Sequence, residues 1–168
     1  MKKLKLFIIL SLVISLLLIL TMFIPVVKYQ GHQHVNQMAG LGIVLGFGSF
    51  SSAYGEIDLK GHATIILLFA YLLPIVLSIL LMIFKKRNKA IGYVFGGLLI
   101  AAFVFEAIIL FNVTGIAKCT FNGNVVSLKQ AYANLSVGAI FGGCGALLGA
   151  ASAIAYICFK YLSSKEEK

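Results

Sequence analysis

Charge is what this sequence has least of. Asp, Glu, Lys and Arg make up 11% of its 168 residues, where a soluble domain carries about a quarter. That leaves too little ionic surface to keep a globular fold in water. Tryptophan is absent, so any aromatic belt at a membrane interface falls to Tyr29, Tyr71, Tyr93, Tyr132, Tyr156 and Tyr161. The three cysteines, Cys119, Cys144 and Cys158, include no CxxC pair. This argues against a disulfide framework and against thiol redox chemistry. No Ser/His/Asp, Cys/His or paired-carboxylate arrangement stands out, because Glu56 and Asp58 have no partner of suitable type nearby. The glycines of 40–48 match neither the dinucleotide fingerprint nor a P-loop, since no Lys-Ser/Thr follows them. A non-enzymatic protein with no catalytic residues and no cofactor is expected.

Apolar residues are what the chain has in excess, at 61% with a mean hydropathy of +1.03, which is the composition of a membrane protein. The formal charge of +9 would ordinarily raise nucleic acid as a partner. Here the basic residues stand in short clusters beside apolar runs, as topology anchors do. The expected partner is a lipid bilayer, with no nucleic acid.

Four apolar runs predict a single domain over 1–168, with spans at about 6–27, 63–84, 90–113 and 135–162. Lys2, Lys3 and Lys5 start the first run as in a signal peptide. Its apolar stretch exceeds the usual ~7–15 residues and no small-x-small site follows, so an uncleaved span is expected. Pro25 stands near its outer end, where a missing N–H is tolerated. Pro74, central in the second run, should clash with the carbonyl of Ala70. The basic connection at 85–89 sets the orientation. With it inside, Lys2, Lys3, Lys5, Lys85, Lys86, Arg87, Lys89, Lys160, Lys165 and Lys168 are cytoplasmic, and only Lys28, Lys60, Lys118 and Lys129 lie outside. Both termini are then cytoplasmic, and the large loop 28–62 and smaller loop 114–134 face outward.

The outer loops carry strand signals. Large and small residues alternate over 40–48 with the period of a strand, a re-entrant segment being the competing assignment. Asn122-Gly123 between strand-forming residues is a hairpin signal. An isolated hairpin is marginal in water, so the one at 118–127 is expected to pair with the first loop in a small outer sheet. Ser127-Leu-Lys-Gln130 is a capping-box pattern. A helix running from there over 128–162 would be about 52 Å long, beyond an apolar slab of about 30 Å, so its first turns are expected to stand outside the membrane or to break near Asn134. The fold class predicted is an all-α integral membrane protein: a four-helix transmembrane bundle with a small extracytoplasmic β-sheet cap built from the two outer loops.

The last span carries a seam with almost no side chain. Gly138, Gly142, Gly145, Gly149 and Ser152 recur at helical spacing. Such a glycine load would cost about 1 kcal/mol per residue in a soluble helix, whereas in a bilayer it lets two backbones approach. Gly92 and Gly96 give the third span a second face of this kind, and an antiparallel pairing of the two would satisfy both. The seam reads as an internal helix-packing joint, or alternatively as a dimer or subunit interface.

Glu106 is the only acidic residue inside an apolar span. It is the candidate ion- or proton-coupling residue, unless it is hydrogen-bonded to Asn112, Ser136 or a backbone group. His32 and His34 are weak metal candidates, with His62 and Cys119 as possible further ligands. Solvated surface histidines are the better explanation of that spacing, and no metal is expected.

In topology, four spans with a large first outer loop resemble the claudin-like arrangement. That family's first loop carries a Trp and a cysteine pair, and this chain has no Trp and no Cys before Cys119. Small multidrug-resistance transporters share four spans and one membrane glutamate. They are shorter, place it in the first helix and lack such outer loops, so no residue is carried over from either. The preferred expectation is a non-enzymatic polytopic protein acting by protein–protein interaction, as an accessory or assembly subunit or a surface scaffold. Its partner would be a membrane protein or a second copy. The alternative is a small oligomeric transporter or channel using Glu106. Ile/Leu/Lys-rich composition and the lack of outer disulfides point to a bacterial plasma membrane.

Overall fold

The computed structural model describes residues 2–30, 35–52, 54–84 and 89–166. The chain is mostly helical, and four of its helices are long and apolar enough to cross a membrane: Leu4–Phe23, Ile65–Phe84, Ala90–Phe111 and Val137–Ser164. In chain order the elements are α1 (Lys2–Leu20), β1 (Pro25–Gln30), β2 (Val35–Ala39), α2 (Gly40–Leu45), β3 (Ser49–Ser52), β4 (Gly55–Asp58) and α3 (Ile65–Phe84). They continue as α4 (Lys89–Phe111), α5 (Val113–Ile116), β5 (Lys118–Phe121), β6 (Asn124–Ser127), β7 (Asn134–Leu135) and α6 (Val137–Glu166).

The first apolar run does not stay helical to 27. After Leu20 it tightens into a 3₁₀ turn, Thr21–Phe23, and Ile24 is extended at φ −91°, ψ 148°. The cause is local, because Pro25 disfavours the helical conformation of the residue before it. Val26 and Val27, β-branched, then continue in β1. α3 remains helical through Pro74. α4 ends at Asn112, whose N–H is shared between the carbonyls of Ile108 and Ile109 (3.1 and 3.3 Å) and whose side-chain amide donates back to Ile108 at 2.8 Å.

The segment 40–48 is not a strand. Gly40–Leu45 forms a short helix, closed by Gly46 in the left-handed conformation at φ 68°. The buried set is Gly40, Ile43 and Val44, a helical spacing. The large-small alternation reflects glycine placement and not which side faces the core. Gly46 also needs its missing side chain, since a Cβ there would lie 2.8 Å from the Ala63 nitrogen.

Two antiparallel sheets close one end of the helices. β2-β1-β7 joins the residues after α1 to those before α6. β3-β4-β5-β6 joins the segment before α3 to the one after α4, through the pairs Ile57↔Phe121 and Asp58↔Thr120. The β5-β6 turn places Asn122 at φ 49° and Gly123 at φ 82°, the two positive values that an Asn-Gly hairpin turn requires. The capping box forms too. Ser127 N–H donates to Gln130 Oε1 (2.9 Å), and Gln130 N–H to Ser127 Oγ (3.3 Å). It initiates only a turn, and β7 intervenes before α6 begins at Val137.

The long helices pack in a ring, α1 against α6, α6 against α4, α4 against α3 and α3 against α1. A core of Ile8, Leu18, Leu81, Leu99, Phe103, Ala146, Ala153 and Tyr156 fills the space between them. A second core, including Val27, Tyr29, Ile43, Ile57, Leu67, Leu110 and Cys119, seats the sheets on their ends. The outer helix faces are apolar as well: Leu6, Ile9, Val13 and Leu17 of α1 and Phe69, Val76 and Ile83 of α3 are all exposed. Apolar surface of that extent marks a face made for something other than water.

Candidate functional site around Glu106

α6 has a glycine seam because large side chains of its neighbours lie where its own would be. A Cβ at Gly142 would stand 2.8 Å from Leu110 and 3.1 Å from the Thr21 hydroxyl. At Gly145 it would stand 2.8 Å from Leu18, and at Gly149 it would run into the ring of Phe103. Gly138 meets backbone, with the Pro25 and Ile24 carbonyl oxygens at 2.7 and 3.0 Å. On α4, Gly96 faces Ile157 and Tyr156, while Gly92 receives the end of Lys160 beside Tyr156. The two glycine faces therefore do not meet each other. Gly92 and Gly96 lie opposite 156–160, and Gly142 and Gly149 lie opposite Leu110 and Phe103, so each glycine accepts a large residue.

This register positions Glu106. It is one turn beyond Phe103 and one turn before Leu110 on the α4 face turned to α6. Its exposure is 0%. Neither carboxyl oxygen has a hydrogen-bond partner, and Asn112, which might have supplied one, is committed to Ile108. Tyr71 of α3 is buried as well. The Tyr71 hydroxyl in turn stands 3.4 Å from that of Thr21, which donates to the Leu18 carbonyl at 2.6 Å. Thr21 in the turn after α1, Tyr71 of α3, Leu110 of α4 and the bare surface of Gly142 on α6 thus come together, one helical turn along α4 from Glu106.

Further polar groups continue on the inner faces. Ser15 donates to the Ser11 carbonyl (2.9 Å), and the Ser11 and Ser152 hydroxyls are 2.6 Å apart. Ser152 also bonds the Gly149 carbonyl (2.8 Å). Ser78 of α3 is buried with its hydroxyl unpartnered. A buried polar atom without a partner costs about 1–3 kcal/mol, so two such side chains, Glu106 and Ser78, are an expense that packing does not explain. Chemically, an enclosed carboxyl without a hydrogen-bond partner is a group that can hold a proton.

The remaining candidates do not converge. His32 and His34 lie outside the described residues. The His62 ring nitrogen Nε2 is 2.9 Å from Thr120 Oγ1, whereas Cys119, the next residue on β5, is buried toward the core. Burial pushes its thiol above the ordinary range. Among the described residues, no three His, Cys, Asp or Glu side chains come together as a metal site.

Two features were not read from the sequence. Tyr54 and Tyr132 pack with ring centroids 4.6 Å apart and planes tilted by 35°, and Phe121 meets Tyr132 edge-on at 6.3 Å. Nothing in the spacing of these residues signals the cluster, because Tyr54 and Tyr132 lie in separate turns and Phe121 in β5, which only the fold brings together. The Ser11–Ser152 pair was within reach, since Ser11 and Ser15 at helical spacing in an apolar run mark one polar face. Comparison with protein-family models, with curated proteins and with solved structures finds no match to this chain.

Proposed function

We propose that this is a non-enzymatic four-span protein of the plasma membrane, with both termini cytoplasmic and bacterial in origin, that acts by protein–protein interaction. On this reading the helices form a transmembrane bundle and the two sheets an extracytoplasmic cap, and the chain serves as an accessory or assembly subunit or a surface scaffold. The positions of Lys28, Lys60, Lys118 and Lys129 on or beside the sheets, away from Phe84 where α3 ends, support that orientation. The observation that carries the interaction reading is the Tyr54–Tyr132 ring pair. These rings are 58% and 57% exposed, on a platform built from both outer segments. Tyr132 also holds a left-handed backbone at φ 61°, which is rare for a bulky residue and persists only where the surroundings enforce it. Exposed aromatics on a fixed platform are the residue type that dominates interface energetics. The partner is a membrane protein or a second copy of the chain. A photo-crosslinker at Tyr132 in native membranes should capture one discrete partner, and Tyr54→Ala should abolish it. Only monomer with lipid adducts would sink the reading.

A second reading rests on the enclosed, unpartnered carboxyl of Glu106. It makes the protein a small oligomeric transporter or channel in which Glu106 couples ions or protons. Glu106→Gln in a liposome flux assay tests it: flux must fall, and equal flux removes the carboxyl from the mechanism.

A further inference from the structure

At the sheet end of α3 lies a hollow of about 360 Å³ lined by Gly61, His62, Thr64, Ile65, Ile66 and Lys118, among others. That volume is within the range of about 300–1,000 Å³ typical of small-ligand sites. Thr64 is the residue at which the helix begins. Its N–H is taken by the Ile43 carbonyl (3.2 Å), and its carbonyl accepts from Leu67 N–H (3.0 Å). Its side chain is only 8% exposed and makes no hydrogen bond, although a threonine there ordinarily caps the helix through its hydroxyl. The N–H groups of Ile65 and Ile66, next in the first turn, also find no backbone acceptor. The Thr64 hydroxyl and these two N–H groups are therefore three donors without a protein acceptor on residues that line one hollow, at the positive end of a 20-residue helix.

The surroundings fix the kind of ligand. Lys118, exposed at the start of β5, lines the hollow and is its one lysine. His62 is held there by its 2.9 Å contact with Thr120. Asp58, paired with Thr120 in the sheet, accepts the Lys60 N–H (2.9 Å), and no acidic residue lines the hollow. Its other wall is apolar, with Ile65 and Ile66 on the outward side of α3. Polar donors and cations above an apolar helix face are the arrangement that a phosphate with a hydrocarbon tail would match.

We infer that this hollow binds a phosphate group, presented as the headgroup of an anionic phospholipid whose chains run down α3 from Ile65 and Ile66. The lipid form rests on the membrane placement proposed above; the phosphate chemistry does not. Lys118 and the first-turn N–H groups hold the phosphoryl oxygens, and the Thr64 hydroxyl donates the hydrogen bond it otherwise lacks.

The test uses the full chain in detergent, wild type beside Thr64→Val and Lys118→Gln. Native mass spectrometry counts phosphatidylglycerol retained against phosphatidylcholine. In parallel, inorganic phosphate is titrated into lipid-free protein while Tm is followed. Phosphatidylglycerol should be retained preferentially, and each variant should weaken retention about tenfold, as expected for one charge-assisted hydrogen bond. Stabilisation of the wild type by inorganic phosphate, lost in both variants and without lipid preference, would assign the site to a free phosphate. Equal retention of the two lipids with no phosphate effect overturns the inference, as does wild-type behaviour in both variants. Lys118 is exposed and valine keeps the shape of Thr64, and the lipid-free Tm checks that both variants fold.

Discussion

The hydroxyls of Ser11 and Ser152 stand 2.6 Å apart, joining the first long helix to the last across 141 positions of sequence. The same register holds along the whole α1–α6 contact, from Leu18 against Gly145 to Thr21 against Gly142. Because Ser11 also reaches the Phe7 carbonyl (3.0 Å) and Ser152 that of Gly149 (2.8 Å), neither is orphaned when the other is removed. Ser11→Ala and Ser152→Ala should each cost less than about 1 kcal/mol, with a coupling near 0.6 kcal/mol between them, the ordinary worth of an interhelical hydrogen bond in a membrane protein. Reversible unfolding in mixed micelles measures the cycle, and strictly additive losses would show that the two do not bond.

The glycines of α6 should not be equivalent. At Gly142, Gly145 and Gly149 an added methyl meets Leu110, Leu18 and Phe103, side chains able to change rotamer. At Gly138 it meets the Pro25 carbonyl at 2.7 Å, where the chain turns from α1 into β1 and has no freedom to retreat. Gly138→Ala should therefore cost more than Gly145→Ala, by about 1–3 kcal/mol, the usual penalty of overpacking. Thermal unfolding of the two variants in one detergent decides it, and the reverse order would mean that the β1–α6 junction is the softer part.

Features fixed by chemistry within a few residues could be read in advance. Asn122-Gly123 specifies its own turn, and the hairpin followed. The capping box of Ser127 and Gln130 also formed, but its pattern does not encode helix length, and β7 ended it. Segment 40–48 was misread because its alternation came from glycines, while burial there follows the helical set Gly40, Ile43 and Val44. The run through Val27 looked continuous because hydropathy does not register that Pro25 forces Ile24 out of the helix. A lone carboxyl in an apolar span ordinarily turns from lipid to the bundle interior, and Glu106 is buried. The meeting of Tyr71 and Thr21 one turn away was not legible, since they come from helices whose order around the ring is a tertiary choice. Thr64 and Lys118 were invisible for the same reason: β4–β5 pairing alone brings them together.

That pairing has a chemical readout at Cys119, which is fully enclosed and whose thiol burial holds above its ordinary pKa. A raised pKa means less reactive thiolate at any given pH. A membrane-impermeant maleimide at pH 8 should leave Cys119 unmodified in the folded protein and label it on denaturation in SDS. Thr120→Pro removes the N–H of a residue paired with both β4 and β6, and should expose Cys119 without disturbing the long helices. Rapid labelling of the wild type would show that the sheet opens on the timescale of the reaction.

Glu106 makes the sharpest prediction because stability and function should move in opposite directions. Its carboxyl is enclosed with neither oxygen bonded, between Phe103 and Leu110, which are themselves fully buried. Methionine has similar volume and length and no polar atoms to desolvate, so Glu106→Met should stabilise the protein by about 1–3 kcal/mol, the cost of leaving a buried polar group unsatisfied. The gain would appear as a higher Tm in detergent. A residue retained at such a cost is held for something other than folding. The variant should then fail in whichever assay reports the protein's activity, flux or partner capture, despite being the more stable form. A lower Tm would instead show that the carboxyl is a structural member of the Thr21–Tyr71 group, bonded through a rearrangement of those hydroxyls, and the functional argument for it would fall.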